Sequence, residues 1–173
     1  MNTFIRHAVG AASLLLAASS FATTGQLTVS REITVDRSPA TVWKLIGDFN
    51  ALDVWLPPVL ASALAGNSLQ GSAPGAIRVL DLAGNARVTE KLMAYDGTGH
   101  RYSYAFIESP LPVKNYVATI ELSAAPNGRT LIKWHSTFDA QGATDDKAKE
   151  AIQGIYDAGL AQAAAIFRTS RAP

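Results

Sequence analysis

Cysteine is absent from this chain of 173 residues. Disulfide bonds, thiolate metal sites and thiol nucleophiles are therefore excluded, whichever compartment the protein occupies. The chain also lacks an excess of charge of either sign, because 15 basic residues face 14 acidic ones and only 17% of the residues are charged. A surface for nucleic acid or for an anionic membrane needs a concentrated basic patch, so we expect neither partner.

Motifs typical of catalytic or cofactor chemistry are scarce. The three histidines, His7, His100 and His135, show no metal-ligand spacing with one another or with carboxylates. The chain contains no Gly-x-Ser-x-Gly motif and no glycine-rich phosphate loop at a strand-to-helix turn. We therefore expect neither a cofactor nor a metal.

The chain has no apolar run long enough to span a membrane, but its first 22 residues have the composition of a secretory signal. Arg6 gives a short basic start, residues 8–18 are apolar and uncharged, and Ser20-Phe21-Ala22 offers small residues where a signal peptidase reads them. We predict a signal peptide over residues 1–22, no stable membrane insertion after its removal, and a periplasmic or secreted location. Only Arg6 is lost with it, which leaves 14 basic and 14 acidic residues.

Alternation of apolar and polar residues between turn signals predicts a β-rich domain after the signal. A strand over Gln26–Asp36 is followed by two short helices, Ser38–Gly47 and Asn50–Trp55. Six more strands are predicted between turns rich in glycine, asparagine and proline, over residues 59–65, 76–82, 86–95, 100–107, 115–124 and 129–139. One long helix ends the order, so residues 23–173 are predicted to form a single α+β domain.

That last helix, predicted over Thr144–Arg168 with Thr144 as its N-cap, has one continuous apolar face. The face is shallow at its centre, where Gly159 and Ala163 stand in place of larger side chains. A glycine costs about 1 kcal/mol relative to alanine in a helix, so a close approach or an open space should compensate. We expect the helix to lie across a curved sheet and close a pocket. The alternative is that Gly159 only accommodates a bulky neighbour.

Four parts of the sequence carry a resemblance to a known superfamily. They are residues 36–46 (DRSPATVWKLI), 75–78 with 87–96 (GAIR and RVTEKLMAYD), 102–116 (YSYAFIESPLPVKNY) and 132–138 (IKWHSTF). In this order and spacing the chain resembles the START-like, or Bet v 1-like, superfamily in its bacterial polyketide-cyclase-type branch. Residues 151–160 (AIQGIYDAGL) resemble small exported proteins associated with bacterial methanol oxidation. The resemblance implies a helix-grip fold, in which an antiparallel sheet of about seven strands curves around the C-terminal helix and leaves a cavity between them.

Strand parity predicts which side chains face that cavity, because alternate residues share a face. Arg78 and Glu90 fall on the inward face of neighbouring strands, and an unpaired buried charge is costly, so we expect an ion pair. The pair either anchors the head group of a ligand or only fixes the sheet. The predicted ligand contacts are Trp55, Arg78, Glu90, Tyr104, Phe106, Tyr116, Trp134, Ser136, Tyr156, Gly159 and Ala163. For the aromatic members, an ordinary place in the core is the alternative.

Two connections are expected to border the entrance of the cavity. One is Asn50–Pro58, and the other is Ser109–Pro112, whose place at the entrance the resemblance implies. Trp55 lies in the first of them, directly before Pro57-Pro58. It is either a ligand contact or a lid over the core.

Three functional hypotheses follow. The first is an exported binding protein, not an enzyme, that holds a small hydrophobic molecule between the sheet and the C-terminal helix. The second is an accessory protein that docks onto a periplasmic dehydrogenase of the methanol-oxidation type, its pocket being vestigial. The third is a cyclase or hydratase with Glu90 as general base, since burial raises the pKa of a carboxyl group.

Overall fold

The computed structural model describes residues 25–66 and 71–169, so the predicted signal peptide lies outside the described residues. Helices and strands follow one another in the predicted order. Their bounds are β1 Leu27–Val35, α1 Pro39–Ile46, α2 Leu52–Trp55, β2 Val59–Ala65, β3 Ile77–Leu82, β4 Arg87–Asp96, β5 Arg101–Glu108, β6 Val113–Ala125, β7 Arg129–Ala140 and α3 Asp145–Thr169.

The seven strands form one antiparallel sheet in the order β1-β7-β6-β5-β4-β3-β2. Strict alternation of burial along β7 shows how the sheet divides into two faces, because Ile132, Trp134, Ser136 and Phe138 are buried and their neighbours are partly exposed. Helix α3 packs against β1, β7 and α2. The predicted helix-grip fold, with two short helices between the first two strands, is confirmed.

The helix ends follow from local chemistry. Ser38 caps α1, with its hydroxyl oxygen accepting from the Thr41 amide at 3.4 Å, and Pro39 begins the helix. Thr144 caps α3 in the same way, accepting from the Lys147 amide at 3.4 Å. Helix α2 has only four residues and no side-chain cap. Of the described helices, none combines the length and the apolar character needed to cross a membrane.

Gly159 marks a close approach in the structure, and the open space expected beside it is absent. A Cβ atom added there would lie 3.0 Å from Leu56 Cδ1, 3.0 Å from Trp134 Cζ3 and 3.3 Å from Trp55 Cζ3. Large side chains from α2 and β7 therefore fill the space that the shallow helix face leaves. The expectation of a void at this point was wrong, and the accommodation of bulky neighbours was right.

Gly159→Leu should destabilise the protein by about 1–3 kcal/mol, because its side chain would collide with two indole rings in a packed core. Gly154 is the matched control, since it lies on the same helix, is exposed and has no atom within 4 Å of an added Cβ. Gly154→Leu should leave stability unchanged or raise it by up to about 1 kcal/mol through helix propensity. Urea unfolding measures both changes, and equal midpoints for the two variants would contradict the packing described.

Candidate functional site

An apolar cavity of about 60 Å³ lies between the inner face of the sheet, α2 and α3. Both connections expected at the entrance contribute to its wall. The lining residues are Leu52, Leu56, Pro58, Val59, Leu80, Leu82, Val88, Glu90, Tyr104, Phe106, Leu111, Tyr116, Trp134 and Ile155. A water molecule occupies about 30 Å³ in the liquid, whereas pockets for drug-sized ligands measure about 300–1,000 Å³. The interior is thus mostly filled by protein side chains.

The polar end of the cavity is built on an ion pair between β3 and β4. Arg78 and Glu90 are direct partners in the register of the two strands, and Arg78 Nε donates to Glu90 Oε2 at 2.5 Å. Arg78 is fully buried and Glu90 is 3% exposed. The guanidinium also donates to the Phe49 carbonyl through Nη1 and lies 4.0 Å from the centre of the Phe49 ring. The predicted pairing of the two inward charges is therefore present.

The environment changes the acidity of both partners. Burial raises the pKa of Glu90, and the attraction and hydrogen bond of Arg78 oppose that change without cancelling it. Burial alone would lower the pKa of Arg78, but the attractions of Glu90, Tyr102 and Tyr104 together outweigh it, so its pKa is raised. Arg78 therefore remains a cation, and it supplies the countercharge for a carboxylate that would otherwise be protonated readily.

Two buried tyrosines, Tyr104 and Tyr156, interact electrostatically with the Glu90 carboxylate. Tyr116 and Tyr156 share a hydrogen bond of 2.6 Å, and Trp134 Nε1 donates to the Tyr104 hydroxyl at 3.1 Å. The Trp134 ring also stacks on the ring of Tyr156, with centroids 4.1 Å apart. Burial is the main reason that the pKa values of all three tyrosines are raised. These groups form a neutral, hydrogen-bonding layer between α3 and the sheet.

The structure separates the predicted ligand contacts into two groups. Five of them line the cavity, namely Glu90, Tyr104, Phe106, Tyr116 and Trp134. The other six do not line it: Arg78 stands behind Glu90, Gly159 lies under the two indole rings, and Trp55, Ser136, Tyr156 and Ala163 are buried in the core. Their burial is observed, whereas contact of any of the eleven residues with a ligand stays a prediction.

Trp55 is part of the hydrophobic core. Its side chain is 1% exposed and packs edge-on against Trp134 with ring centroids 5.4 Å apart. Its buried indole N–H has no hydrogen-bond partner among the described residues. This position agrees with the alternative that Trp55 covers the core. Its unpaired N–H is a donor to which an incoming group could bind.

Nine aliphatic or proline residues of the wall were not among the predicted ligand contacts, although four of them, Leu52, Leu56, Pro58 and Leu111, lie in the two connections expected at the entrance. Strand parity places Leu80, Leu82 and Val88 on the same faces as Arg78 and Glu90, so the sequence contains a signal for these three. The contributions of Leu52 and Leu56 had no such signal, because α2 is too short for a helical period. Within the described part of the chain, no three His, Asp or Glu side chains are grouped as metal ligands would be.

A curved antiparallel sheet closed by a long C-terminal helix, with a small apolar cavity ending in a buried carboxylate, defines a helix-grip domain of the START-like type. The family model described as polyketide cyclase / dehydrase and lipid transport matches residues 26–168. The chain belongs to this family, which confirms the resemblance to the polyketide-cyclase-type branch. A search of curated proteins found no match.

Solved structures of similar proteins agree in fold. The XoxI protein of Bacillus cereus has a TM-score of 0.77 and 28% identity, and the match covers 84% of this chain and 99% of that one. An uncharacterised protein of Bacillus thuringiensis has a TM-score of 0.75 and 28% identity over 82% of this chain and 99% of its own. A Thermobifida fusca protein has a TM-score of 0.74 and 28% identity over 83% and 95% of the two chains. The chain is therefore similar to XoxI-like proteins within its family.

Arg78→Leu should cost about 3–5 kcal/mol of stability, because it leaves the Glu90 carboxylate buried without a countercharge. Replacing both partners by Leu should recover much of that loss. The control is Arg87→Leu, which breaks an exposed pair between the same two strands, with Arg87 and Asp81 2.8 Å apart, and should change stability little. Denaturant unfolding compares them, and a small effect of Arg78→Leu would show that the pair is not buried.

The five tyrosines should resist ionisation in the folded protein. The pKa of each is raised, that of Tyr102 to about 12, and burial is the largest cause in every case. Because the unfolded chain loses these protons near pH 10, stability should be intact below that pH and fall as pH rises toward 12. Tyrosinate absorbance, measured beside urea stability from pH 8 to 12, tests this. Native titration near pH 10, as in denaturant, would contradict the burial.

Proposed function

We propose that this protein is exported and binds a small hydrophobic molecule in the cavity between the sheet and α3. The observation that carries the proposal is the composition of the cavity wall, in which aliphatic and aromatic side chains surround one carboxylate and two tyrosines. Ligand sites in proteins commonly combine an apolar wall with a few convergent polar groups. Membership in a family described by polyketide cyclases, dehydrases and lipid transport supports the same conclusion.

The size of the cavity sets a condition on this function. A space of about 60 Å³ has room for about two waters, so an organic ligand requires side chains to move. We infer that segment 51–58 is the part of the wall that moves, since α2 has only four residues and no side-chain cap. It carries Leu52, Trp55 and Leu56 into the interior. Outward movement of this segment would enlarge the cavity and free the space above Gly159.

The other hypotheses have weaker support. The segment that suggested a dehydrogenase accessory role, residues 151–160, has Ile152, Tyr156 and Leu160 in the core. Its exposed Asp157 is already paired with Arg31 at 2.8 Å. A docking surface would have to be built from the few groups that remain outside. For an enzyme, Glu90 would need a second acid–base group, and its direct partner is a permanently charged arginine.

Protein purified from the periplasm of an expressing bacterium should carry a small organic molecule, or take up toluene when that is offered as a probe. Native mass spectrometry detects the bound mass, and the mass of the chain reports whether residues 1–22 have been removed. Leu111→Trp should abolish uptake, because Leu111 lies in the wall at the entrance. Ile107→Trp is the control, since Ile107 is 49% exposed and lies outside the wall.

Two results would overturn this proposal. One is the absence of both a co-purified molecule and toluene uptake in the wild-type protein. The other is equal loss of uptake in the Leu111 and Ile107 variants, which would separate binding from the cavity. A full-length chain in the cytoplasmic fraction would refute export alone.

A further inference from the structure

The ion pair beside the cavity presents its negative partner to the cavity. Apart from the weakly acidic tyrosines, Glu90 is the one acidic or basic residue among the described residues that form the wall, and its ion pair with Arg78 favours the carboxylate form. Arg78, which neutralises it, binds Oε2 and stands behind the carboxylate, outside the wall. The ion pair is therefore a dipole whose negative end faces the cavity. A bound molecule meets a carboxylate before it meets the compensating guanidinium.

A second polar group stands beside that carboxylate. Glu90 pairs with Phe106 and Leu92 pairs with Tyr104 across β4 and β5, so Glu90 and Tyr104 are diagonal neighbours on the inner face. The Cα atoms of such neighbours are about 7–8 Å apart, and both residues line the cavity. The Tyr104 oxygen accepts from Trp134 Nε1, so its own proton remains to be donated, either to the neighbouring Tyr116 hydroxyl or to a ligand. The cavity wall therefore contains one strong acceptor and one hydroxyl group that can donate.

We propose, on the premise that the protein binds a ligand in this cavity, that its ligands are neutral apolar molecules bearing a hydroxyl group, and that carboxylates are rejected. A hydroxyl group donates to Glu90 and accepts from Tyr104, so both of its hydrogen-bonding functions are satisfied. A carboxylate cannot donate to Glu90 and brings a like charge against it. Juxtaposed like charges in a desolvated site weaken binding strongly, and Arg78, which could attract a carboxylate, is not part of the cavity wall.

This proposal is more specific than hydrophobic binding, because a purely apolar cavity has the opposite preference. Transfer of a hydroxyl group from water to an apolar site without a hydrogen bond is unfavourable. A cavity that offers only apolar contacts therefore favours a hydrocarbon over the corresponding alcohol. A hydrogen bond to a charged group strengthens binding about 10- to 150-fold, which is enough to reverse that order.

The test uses toluene, benzyl alcohol and benzoate, which share one aromatic ring and differ in the polar group. Binding to the mature protein is measured at pH 7.5 by titration calorimetry. Benzyl alcohol should bind about fivefold more tightly than toluene, and benzoate at least about 50-fold more weakly than benzyl alcohol. Glu90→Gln removes the charge but keeps an oxygen that can accept from Arg78. It should therefore bring two affinity ratios closer to one, that of benzyl alcohol to toluene and that of benzyl alcohol to benzoate.

Val88→Ala is the matched control, because Val88 lies on the same strand and the same face as Glu90 and contributes only apolar wall. It should change the affinity for all three probes together and leave their ratios unchanged. The wild-type ratios alone test the inference if the Glu90 variant fails to fold. Binding of toluene with no preference for benzyl alcohol, or with benzoate accepted equally, would overturn this inference and leave hydrophobic binding intact. Failure of all three probes, together with the absence of a co-purified molecule, would overturn the binding function itself.

Discussion

Burial of the Arg78–Glu90 pair is the constraint on which the arrangement of the interior depends. Two opposite charges sit at 0% and 3% exposure, and a slip of one residue between β3 and β4 would send one partner to the opposite face. Desolvation offsets much of the attraction, so the pair adds little stability over a well-packed apolar pair. The pair instead favours the observed register of β3 and β4, in which Arg78 lies opposite Glu90. The bond from Arg78 to the Phe49 carbonyl also ties the connection after α1 to the sheet.

Packing around Gly159 determines how much empty space the fold retains. The absence of a side chain on α3 allows Trp55 and Trp134 to meet edge-on beneath the helix, with Leu56 beside them. The helix therefore closes tightly on the sheet at its centre. What remains open is displaced toward Leu111 and Ile155, between the entrance segment and the strands. A shallow helix face can thus produce dense packing, because neighbouring elements fill the volume that it leaves.

Local periodicity explains what the sequence could predict. Alternation along the strands placed Arg78, Glu90, Tyr104, Tyr116 and Trp134 on one face, and each of them is buried. Trp55 lay beyond this reasoning, because a four-residue helix before two prolines has no period to indicate its direction. The size of the cavity was equally out of reach. It depends on which large side chains meet in the folded protein. At Gly159 these are Trp55 and Trp134, which are distant from it in the sequence.

The ion pair with Arg78 determines whether Glu90 only accepts hydrogen bonds or also donates them. A lone carboxyl group in this apolar setting would be held neutral by burial, and it would then donate as well as accept a hydrogen bond. Arg78 favours its ionised form, which can only accept a hydrogen bond, while the Phe49 and Tyr104 rings lie 4.0 and 5.3 Å from the guanidinium. Apolar surface supplies attraction without direction, so the chemical selectivity of such a cavity comes from its oriented polar groups, of which Glu90 is the carboxylate. The position of Glu90 is fixed by the backbone register of β3 and β4, and it does not depend on the position of segment 51–58.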